Sequence, residues 1–139
     1  MEVIGVPGDK LRTLPVILKY FDEFTDDGAV NSSDMVEQVE SRDRQCWTVI
    51  DGLGQIKAVA LTRIMTGNYL TCEITHLTGH DLREWHDAYL EIEKWARYMG
   101  CKRILATARP GYAKIGRKYG LKLAHVILEK ELTNGNVSE

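Results

Sequence analysis

The sequence predicts an α/β protein, in detail an α+β domain with one mixed sheet and helices on its faces. Three apolar segments between residues 46 and 77 follow one another across short turns, which is typical of an antiparallel meander. Residues 69–108 then read as strand, long helix and strand, a connection that makes two strands parallel and is right-handed. Amphipathic helical patterns before and inside this connection supply the layers that cover the sheet. The predicted order of elements is β-α-α-β-β-β-α-β-α-β.

The first third of the chain contains a predicted edge strand, residues 3–6, and two helices. Residues 11–24 place apolar side chains at helical spacing, and Pro15 is early enough to be tolerated near the first turn. A polar, acidic loop at 25–31 precedes the second helix at 32–42. The apolar residues of the first helix are Leu11, Leu14, Ile17, Leu18, Phe21 and Phe24. The second helix has Ser32, Ser33 and Asp34 as N-cap candidates and Met35, Val36 and Val39 as inward residues.

Three strands follow these helices. Residues 46–50 form the first, and Asp51-Gly52-Leu53-Gly54 carries the Asp-Gly signal of a tight hairpin. The second strand, 56–64, is apolar on both faces, which predicts a central strand covered on each side. A turn at 66–68 leads into the third strand, 69–77.

The remaining elements begin with a long helix at 81–99, whose apolar residues form one broad stripe. Aromatic residues in this stripe have core spacing, so we interpret them as packing. Gly100 is the predicted C′ residue, and a strand follows at 103–108. A short helix at 110–119, ended by a glycine, and a last strand at 121–132 complete the prediction.

Length and composition predict one domain at 1–132 and a polar C-terminal tail at 133–139. The 139 residues are 44% hydrophobic and 27% charged, as in an ordinary globular protein. No apolar run approaches the roughly 20 residues of a membrane helix, and residues 1–5 lack the features of a signal peptide, so the expected location is cytoplasmic. Three cysteines without close pairs argue against a disulfide framework and a zinc cluster, and indicate small buried apolar residues.

Charge is distributed unevenly around a net charge of −2. Residues 1–50 hold ten acidic and five basic side chains, whereas residues 94–122 hold nine basic ones and no acid. Such a basic block suggests an anionic ligand, either a phosphorylated molecule or a nucleic acid. A solvated surface is the better interpretation of any single residue, but the complete absence of acid keeps an anion site open. No nucleic-acid-binding motif accompanies it, so we consider nucleic acid an unlikely partner. The nine are Lys94, Arg97, Lys102, Arg103, Arg109, Lys114, Arg117, Lys118 and Lys122.

The junction at residues 77–82, where a strand leads into the long helix, is a natural anion site. Free backbone N–H groups and the helix dipole both point at a ligand placed at a helix N-terminus. A pyrophosphate is therefore one ligand that this junction could bind.

Residues 93–104 read EKWARYMGCKRI, which is similar to the junction of helix, Gly-Cys and next strand in the GNAT superfamily of N-acetyltransferases. Residues 115–122, IGRKYGLK, resemble the short helix of that family, which ends in Gly-Phe. The resemblance covers 69–132 and implies a GNAT-like acyl-CoA N-acyltransferase fold.

Two further stretches resemble small GNAT-like proteins of tailed bacteriophages. They are CEITHLTG at residues 72–79, followed by Trp85, and ARPGY at residues 108–112.

The resemblance implies that acetyl-CoA lies in a splay between the fourth and fifth strands and pairs with strand backbone through its pantetheine arm. Family members place the pyrophosphate on a loop of Arg/Gln-x-x-Gly-x-Gly/Ala. The corresponding stretch here has one glycine, Gly79, and Asp81 sets a negative charge beside the site, although an aspartate is also an ordinary N-cap. The implied contacts are Ile74, His76, Leu77, Thr78, Gly79, His80, Asp81 and Leu82, with Arg109, Lys114, Arg117 and Lys118 on the adenosine phosphates.

The resemblance also suggests catalytic groups. Glu73, in a position where family members often have a glutamate, is the candidate general base, and His76, on the opposite strand face by simple alternation, is a second candidate. Family members often use a tyrosine of the short helix as the general acid. Gly116 occupies that position here, and Tyr112 lies one helical turn earlier. The four histidines show no metal-binding spacing on a helix.

Two functions are therefore open. The first is acetyl transfer from acetyl-CoA to an unidentified amine. The second is a catalytically degenerate GNAT-like phage protein with a structural, virion or host-interaction role. The expected partners are acetyl-CoA and an amine acceptor, with a homodimer or a phage or host protein left open. In the phage case the location is the host cytoplasm or the virion.

Overall fold

A computed structural model describes residues 2–24, 31–79 and 82–107, together with residues 117, 118, 120–122, 124, 128, 130 and 132. The chain divides into two compact units, Met1–Thr107 and Ala108–Glu139. The helices and strands of the first unit are β1 (Glu2–Val6), a 3-10 helix (Gly8–Thr13), α1 (Pro15–Phe24), α2 (Ser32–Glu40), β2 (Gln45–Ile50), β3 (Ile56–Met65), β4 (Thr71–Gly79), α3 (Leu82–Tyr98) and β5 (Arg103–Ala106).

Five strands form one mixed sheet in the order β1-β2-β3-β4-β5. All neighbours are antiparallel except β4 and β5, which are parallel because α3 crosses over between them. The predicted mixed sheet is thus confirmed. The central position of β3 is confirmed as well, since the side chains from Ala58 to Thr62 are all buried.

Helices α1 and α2 cover one face of the sheet, which we call the α1–α2 face. Its core contains Leu11, Ile17, Tyr20, Phe21, Met35, Val36, Val39, Cys46, Val59 and Leu61. Helix α3 covers the other side, the α3 face, where Ala88 packs on Val49 and Ala58. On this face Trp95 meets Trp47 edge-to-face at a centroid distance of 5.3 Å, so the aromatic stripe of α3 serves as packing at this position.

The first predicted helix is divided in the structure. Leu14 has φ −122° and ψ 80°, outside the helical region, and separates the 3-10 helix from α1, which begins at Pro15. Proline suits the first helical position because it needs no N–H partner there, and it disfavours the helical conformation in the residue before it.

The N-cap of α2 and the β2–β3 turn also differ from the sequence prediction. The N-cap of α2 is Asn31, whose side chain accepts a hydrogen bond from the N–H of Asp34 at 2.8 Å, so the predicted caps were wrong. In the β2–β3 turn, Gly54 adopts φ 79° and Asp51 Oδ1 accepts the N–H groups of Leu53 and Gln55, both at 2.9 Å. The turn is therefore longer than a two-residue hairpin.

The end of α3 follows the prediction. Gly100 has φ 88°, and the N–H of Cys101 reaches back to the carbonyl of Ala96 at 2.9 Å, which is a Schellman-type ending. None of the helices in the described part of the chain combines the length and the hydropathy needed to span a membrane.

Most of the predicted helix at 110–119 and strand at 121–132 lies outside the described residues. Within the second unit Arg117 is helical, and Gly120 has φ 83° with its N–H bonded to the carbonyl of Arg117 at 3.1 Å, as expected where a helix ends. The six described residues between 121 and 132 adopt no regular secondary structure, and Leu128 and Leu132 are exposed.

Candidate active site at the end of β4

The two halves of β4 are paired differently. From Thr71 to Ile74 the strand lies between β3 and β5, and the N–H of Thr107 adds a last bond to the carbonyl of Ile74 at 3.1 Å. Beyond Ile74, among the described residues, β4 pairs with β3 alone as far as Gly79. A strand edge without a partner can pair with an extended ligand through its backbone groups.

A β-bulge at Thr75 lies at the transition between these halves. Ile74 stands opposite Thr62 and His76 opposite Leu61, so Thr75 is an extra residue in β4. A bulge bends the strand and increases its twist, which commonly ends pairing on one side. This explains why the ladder between β4 and β5 stops where the bulge begins.

The bulge also changes which side chains share a face. Glu73 is opposite Arg63 and His76 is opposite Leu61, and these two β3 residues lie two positions apart. Glu73 and His76 therefore lie on the same face, the α1–α2 face. The sequence prediction that placed them on opposite faces was wrong, because simple alternation does not count the extra residue Thr75.

Glu73 forms an ion pair across the strands. Its Oε1 accepts a hydrogen bond from Arg63 Nε at 3.0 Å and lies 2.8 Å from Arg63 Nη2, and its side chain is 14% exposed. Within the described residues, the other oxygen, Oε2, has no hydrogen-bond partner. One carboxylate oxygen is thus fixed, while the second remains available to a substrate or water.

The hydroxyl of Thr75 connects several polar groups beside this pair. It accepts a hydrogen bond from Arg44 Nη1 at 2.6 Å, lies 3.0 Å from His76 Nδ1, and is 3.3 Å from the carbonyl oxygen of Leu61. Arg44 also donates through Nε to Gln38 Oε1 on α2. Burial lowers the pKa of Arg44, the positive charge of Arg63 lowers it further, and Glu73 acts in the opposite direction.

The α3 face behind this site is held by a second polar chain. Trp47 Nε1 donates to Thr62 Oγ1, which donates to Gln45 Oε1, both at 3.0 Å. Tyr89 is buried in α3 and donates its hydroxyl to Glu93 Oε1 at 2.9 Å. Burial, followed by this hydrogen bond, raises the pKa of Tyr89. These contacts are structural, since they lie behind the sheet from Glu73.

Some predicted acetyl-CoA contacts lie on this edge of β4. Ile74 is buried and makes the last pairing with β5, His76 and Leu77 are half-buried, and Gly79 ends the strand. Thr78 belongs to β4 and Leu82 begins α3. Arg117 and Lys118 are exposed in the second unit. The predicted residues outside the description are His80, Asp81, Arg109, Tyr112 and Lys114.

Only two residues separate the end of β4 at Gly79 from the start of α3 at Leu82. The six-residue phosphate-binding loop that the family resemblance implied would therefore have to overlap the end of the strand. The helix N-terminus follows the strand directly, as predicted.

The cysteines are packing residues rather than nucleophiles. Cys46 and Cys72 are buried, and burial is the main cause that raises the pKa of each thiol to about 12. Cys101 is half-buried and its thiol pKa is also raised by burial. In the described part of the chain, no group of three or more His, Cys, Asp or Glu residues could hold a metal ion.

No protein-family model and no curated protein match the sequence. Solved structures do match. An aminoglycoside acetyltransferase from an uncultured soil metagenomic sample has a TM-score of 0.73 and 11% identity, covering 95% of this chain and 98% of the other. Glucosamine-6-phosphate N-acetyltransferase from Arabidopsis thaliana has a TM-score of 0.71 and 13% identity, covering 95% of this chain and 98% of the other. The fold is that of the GNAT acetyltransferases.

A further acetyltransferase, from Trypanosoma brucei, is similar with a TM-score of 0.70 and 10% identity over 94% of this chain and 99% of the other. The near-complete coverage of both chains means that the similarity extends over the whole fold. The sequence did not identify Arg44 and Thr75 as site residues, and only the fold brings them to the candidate site. No sequence signal pointed to them, because neither lies in a motif.

Proposed function

We propose that this protein is a GNAT-type N-acetyltransferase that moves an acetyl group from acetyl-CoA to an amine. The observation that carries the proposal is the second half of strand β4, which from the bulge at Thr75 onward pairs, among the described residues, with β3 alone and leads to the N-terminus of α3. The acetyltransferases of similar fold support the general activity.

The pantetheine arm of acetyl-CoA fits the edge of β4 between His76 and Gly79. Its two amide groups can form strand-like hydrogen bonds with the backbone groups of this edge. The N-terminus of α3 at Leu82 would attract the pyrophosphate, and Arg109, Lys114 and Arg117 are the proposed contacts to the adenosine phosphates. Asp81 opposes this attraction, so we expect the phosphate end to contribute less than the strand edge.

Glu73 is the proposed general base. Arg63 fixes its Oε1, and Oε2 would accept a proton from the attacking amine, directly or through water. The nitrogen forms a bond to the thioester carbonyl carbon, and the carbon–sulfur bond then breaks. Tyr112 is the proposed donor of a proton to the departing thiolate. His76, on the same face as Glu73, is the alternative base.

A second candidate function is favoured by the short connection between β4 and α3. Two residues leave little backbone for a phosphate-binding loop, and this favours a degenerate GNAT-like protein that binds a protein partner instead. A phage structural or host-interaction role, with the host cytoplasm or the virion as its location, belongs to this alternative. A homodimer would fit either function.

Titration with acetyl-CoA distinguishes the two functions. Ligand at 100 times its Kd stabilises the folded state by about 2.7 kcal/mol, so a clear rise in Tm is expected. Absence of any shift at millimolar acetyl-CoA, together with no heat in calorimetry, would contradict the enzyme function and favour the second candidate.

Glu73→Gln tests the proposed base. This variant should bind acetyl-CoA as the wild type does but transfer acetyl groups about 100- to 10,000-fold more slowly, which is the usual contribution of a general base. Glu40→Gln, which removes an exposed carboxylate paired with Arg12, is the matched control and should retain full activity. Equal rates for Glu73→Gln and the wild type would eliminate Glu73 and leave His76 as the candidate.

A further inference from the structure

Positive charge is in excess beside Glu73 on the α1–α2 face. Two guanidinium groups, Arg44 and Arg63, lie near this single carboxylate, and the charge of Arg63 lowers the pKa of Arg44. Arg63 is paired with Glu73. Arg44 bonds only to the neutral side chains of Gln38 and Thr75, so among the described residues it has no carboxylate of its own.

The exposure of these groups differs from that of an ordinary surface pair. Arg44 is half-buried, and its lowered pKa reflects burial first and the charge of Arg63 second. A half-buried positive charge loses part of its hydration free energy, and without an ionic partner this loss is not fully compensated. A ligand that supplied a negative charge here would compensate that loss.

Both arginines have donors left for such a ligand. A guanidinium has five N–H groups in a rigid fork that matches the oxygens of a carboxylate or phosphate. Within the described structure, Arg44 uses two of its donors, on Gln38 and Thr75, and Arg63 uses two on Glu73. Each therefore retains three, and the Arg63 side chain is 42% exposed, so solvent and ligand can reach it.

The two arginines lie where the acceptor amine would bind rather than along the proposed acetyl-CoA site. Arg44 contacts the bulge residue Thr75, and Arg63 contacts Glu73 two residues earlier, so both flank the point beyond which the described pairing of β4 is with β3 alone. The proposed donor lies along that edge, whereas the arginines lie on the α1–α2 face, from which Glu73 would meet the acceptor.

We propose that the acceptor is an amine that also carries an oxyanion, either a carboxylate or a phosphate, and that Arg44 and Arg63 bind this oxyanion while Glu73 receives the proton of the amine. The assignment of the amine as an acceptor rests on the proposed function. The oxyanion site itself requires only the geometry of the arginines.

Binding of matched amines tests this inference. Phosphoethanolamine is compared with ethanolamine, and β-alanine with β-alaninamide, by calorimetry with and without acetyl-CoA. We expect the wild type to bind one of the oxyanion-bearing amines at least ten-fold more tightly than its counterpart. Arg44→Gln should abolish that preference, and Arg63→Gln should reduce it. The phosphate and carboxylate pairs show which oxyanion is preferred.

Arg12→Gln is the control, because it removes an equal charge and an ion pair on the exposed surface, and its preference should equal that of the wild type. Arg44→Lys serves if Arg44→Gln does not fold, and it should lose most of the preference because it lacks the fork. The inference is overturned if the wild type does not distinguish the members of either pair, or if the preference survives in folded Arg44 variants.

The same experiment separates this inference from the proposed function. An Arg44-dependent preference without any binding of acetyl-CoA would retain the oxyanion site and contradict acetyl transfer. Binding of acetyl-CoA and acetylation of amines irrespective of an oxyanion would retain acetyl transfer and contradict the oxyanion site.

Discussion

The two halves of β4 have the same neighbour on one side and differ on the other. Residues 71–74 lie between two strands, with Cys72 and Ile74 buried, whereas the described pairing of residues 75–79 is with β3 alone. The difference arises from one extra residue, Thr75. It shows that one extra residue can divide a strand into a half that lies between two strands and a half that, in the described part of the chain, pairs on one side.

The first half should be the more important one for stability. Ile74→Ala removes a 2% exposed side chain from the α3 face, and we expect the free energy of unfolding to fall by about 2–5 kcal/mol. Leu77→Ala, in the second half, removes a half-buried side chain and should cost less, about 1–2 kcal/mol, because less apolar area is lost. Denaturation by urea measures both. Equal losses would show that the halves do not differ in packing.

The bulge should depend on the hydroxyl of Thr75. Thr75→Val keeps the side-chain shape but leaves Arg44 Nη1 without its acceptor, and we expect a loss of about 1–3 kcal/mol. Thr71→Val is the control in the first half, because Thr71 Oγ1 accepts only a 3.4 Å hydrogen bond from Arg103, and it should cost less. A smaller loss for Thr75→Val than for Thr71→Val would contradict a structural role for this hydroxyl.

The smallest expected effect concerns the turn that supports the second half. Gly79 pairs with Ala58 near the start of β3, and Asp51 orders the preceding turn. Hydrogen bonds from the N–H groups of Gln55 and Leu53 lower the pKa of Asp51, although burial acts in the opposite direction. Because the folded pKa is depressed, this contribution to stability is present above the unfolded value of about 4 and is lost as pH falls through the folded value.

A pH series on Asp51→Asn therefore checks the turn. The wild type should be more stable than the variant at neutral pH, and the difference should shrink as pH falls below about 4. A difference that does not change with pH would exclude the ionised carboxylate as its source.

The elements themselves were largely predictable. The left-handed Gly100 and the two-sided apolar pattern of β3 reflect local sequence signals, and the structure confirms both. In the predicted stripe of α3, Tyr89, Ile92 and Ala96 are buried as expected, whereas Met99 at its end is exposed. Errors occurred where two local signals compete. Pro15 could continue or begin a helix, and the caps of α2 could be any of several neighbouring polar residues, of which Asn31 is the one used.

The candidate site was less predictable. Glu73 was predicted from the family resemblance, but its partner Arg63 is ten residues away and becomes its neighbour only through strand register. Arg44 reaches the site from the residue just before β2, 31 residues before Thr75. A sequence pattern does not contain such contacts, because they depend on pairing between strands.

The order of strands and helices follows from the local chemistry of the chain, since period-2 and helical patterns are properties of neighbouring residues. The face on which His76 lies, the pairing of Glu73 and the excess positive charge beside it are properties of the folded molecule alone. The physical reason is the bulge at Thr75, because one unpaired residue in a long-range ladder reverses the alternation of every residue after it.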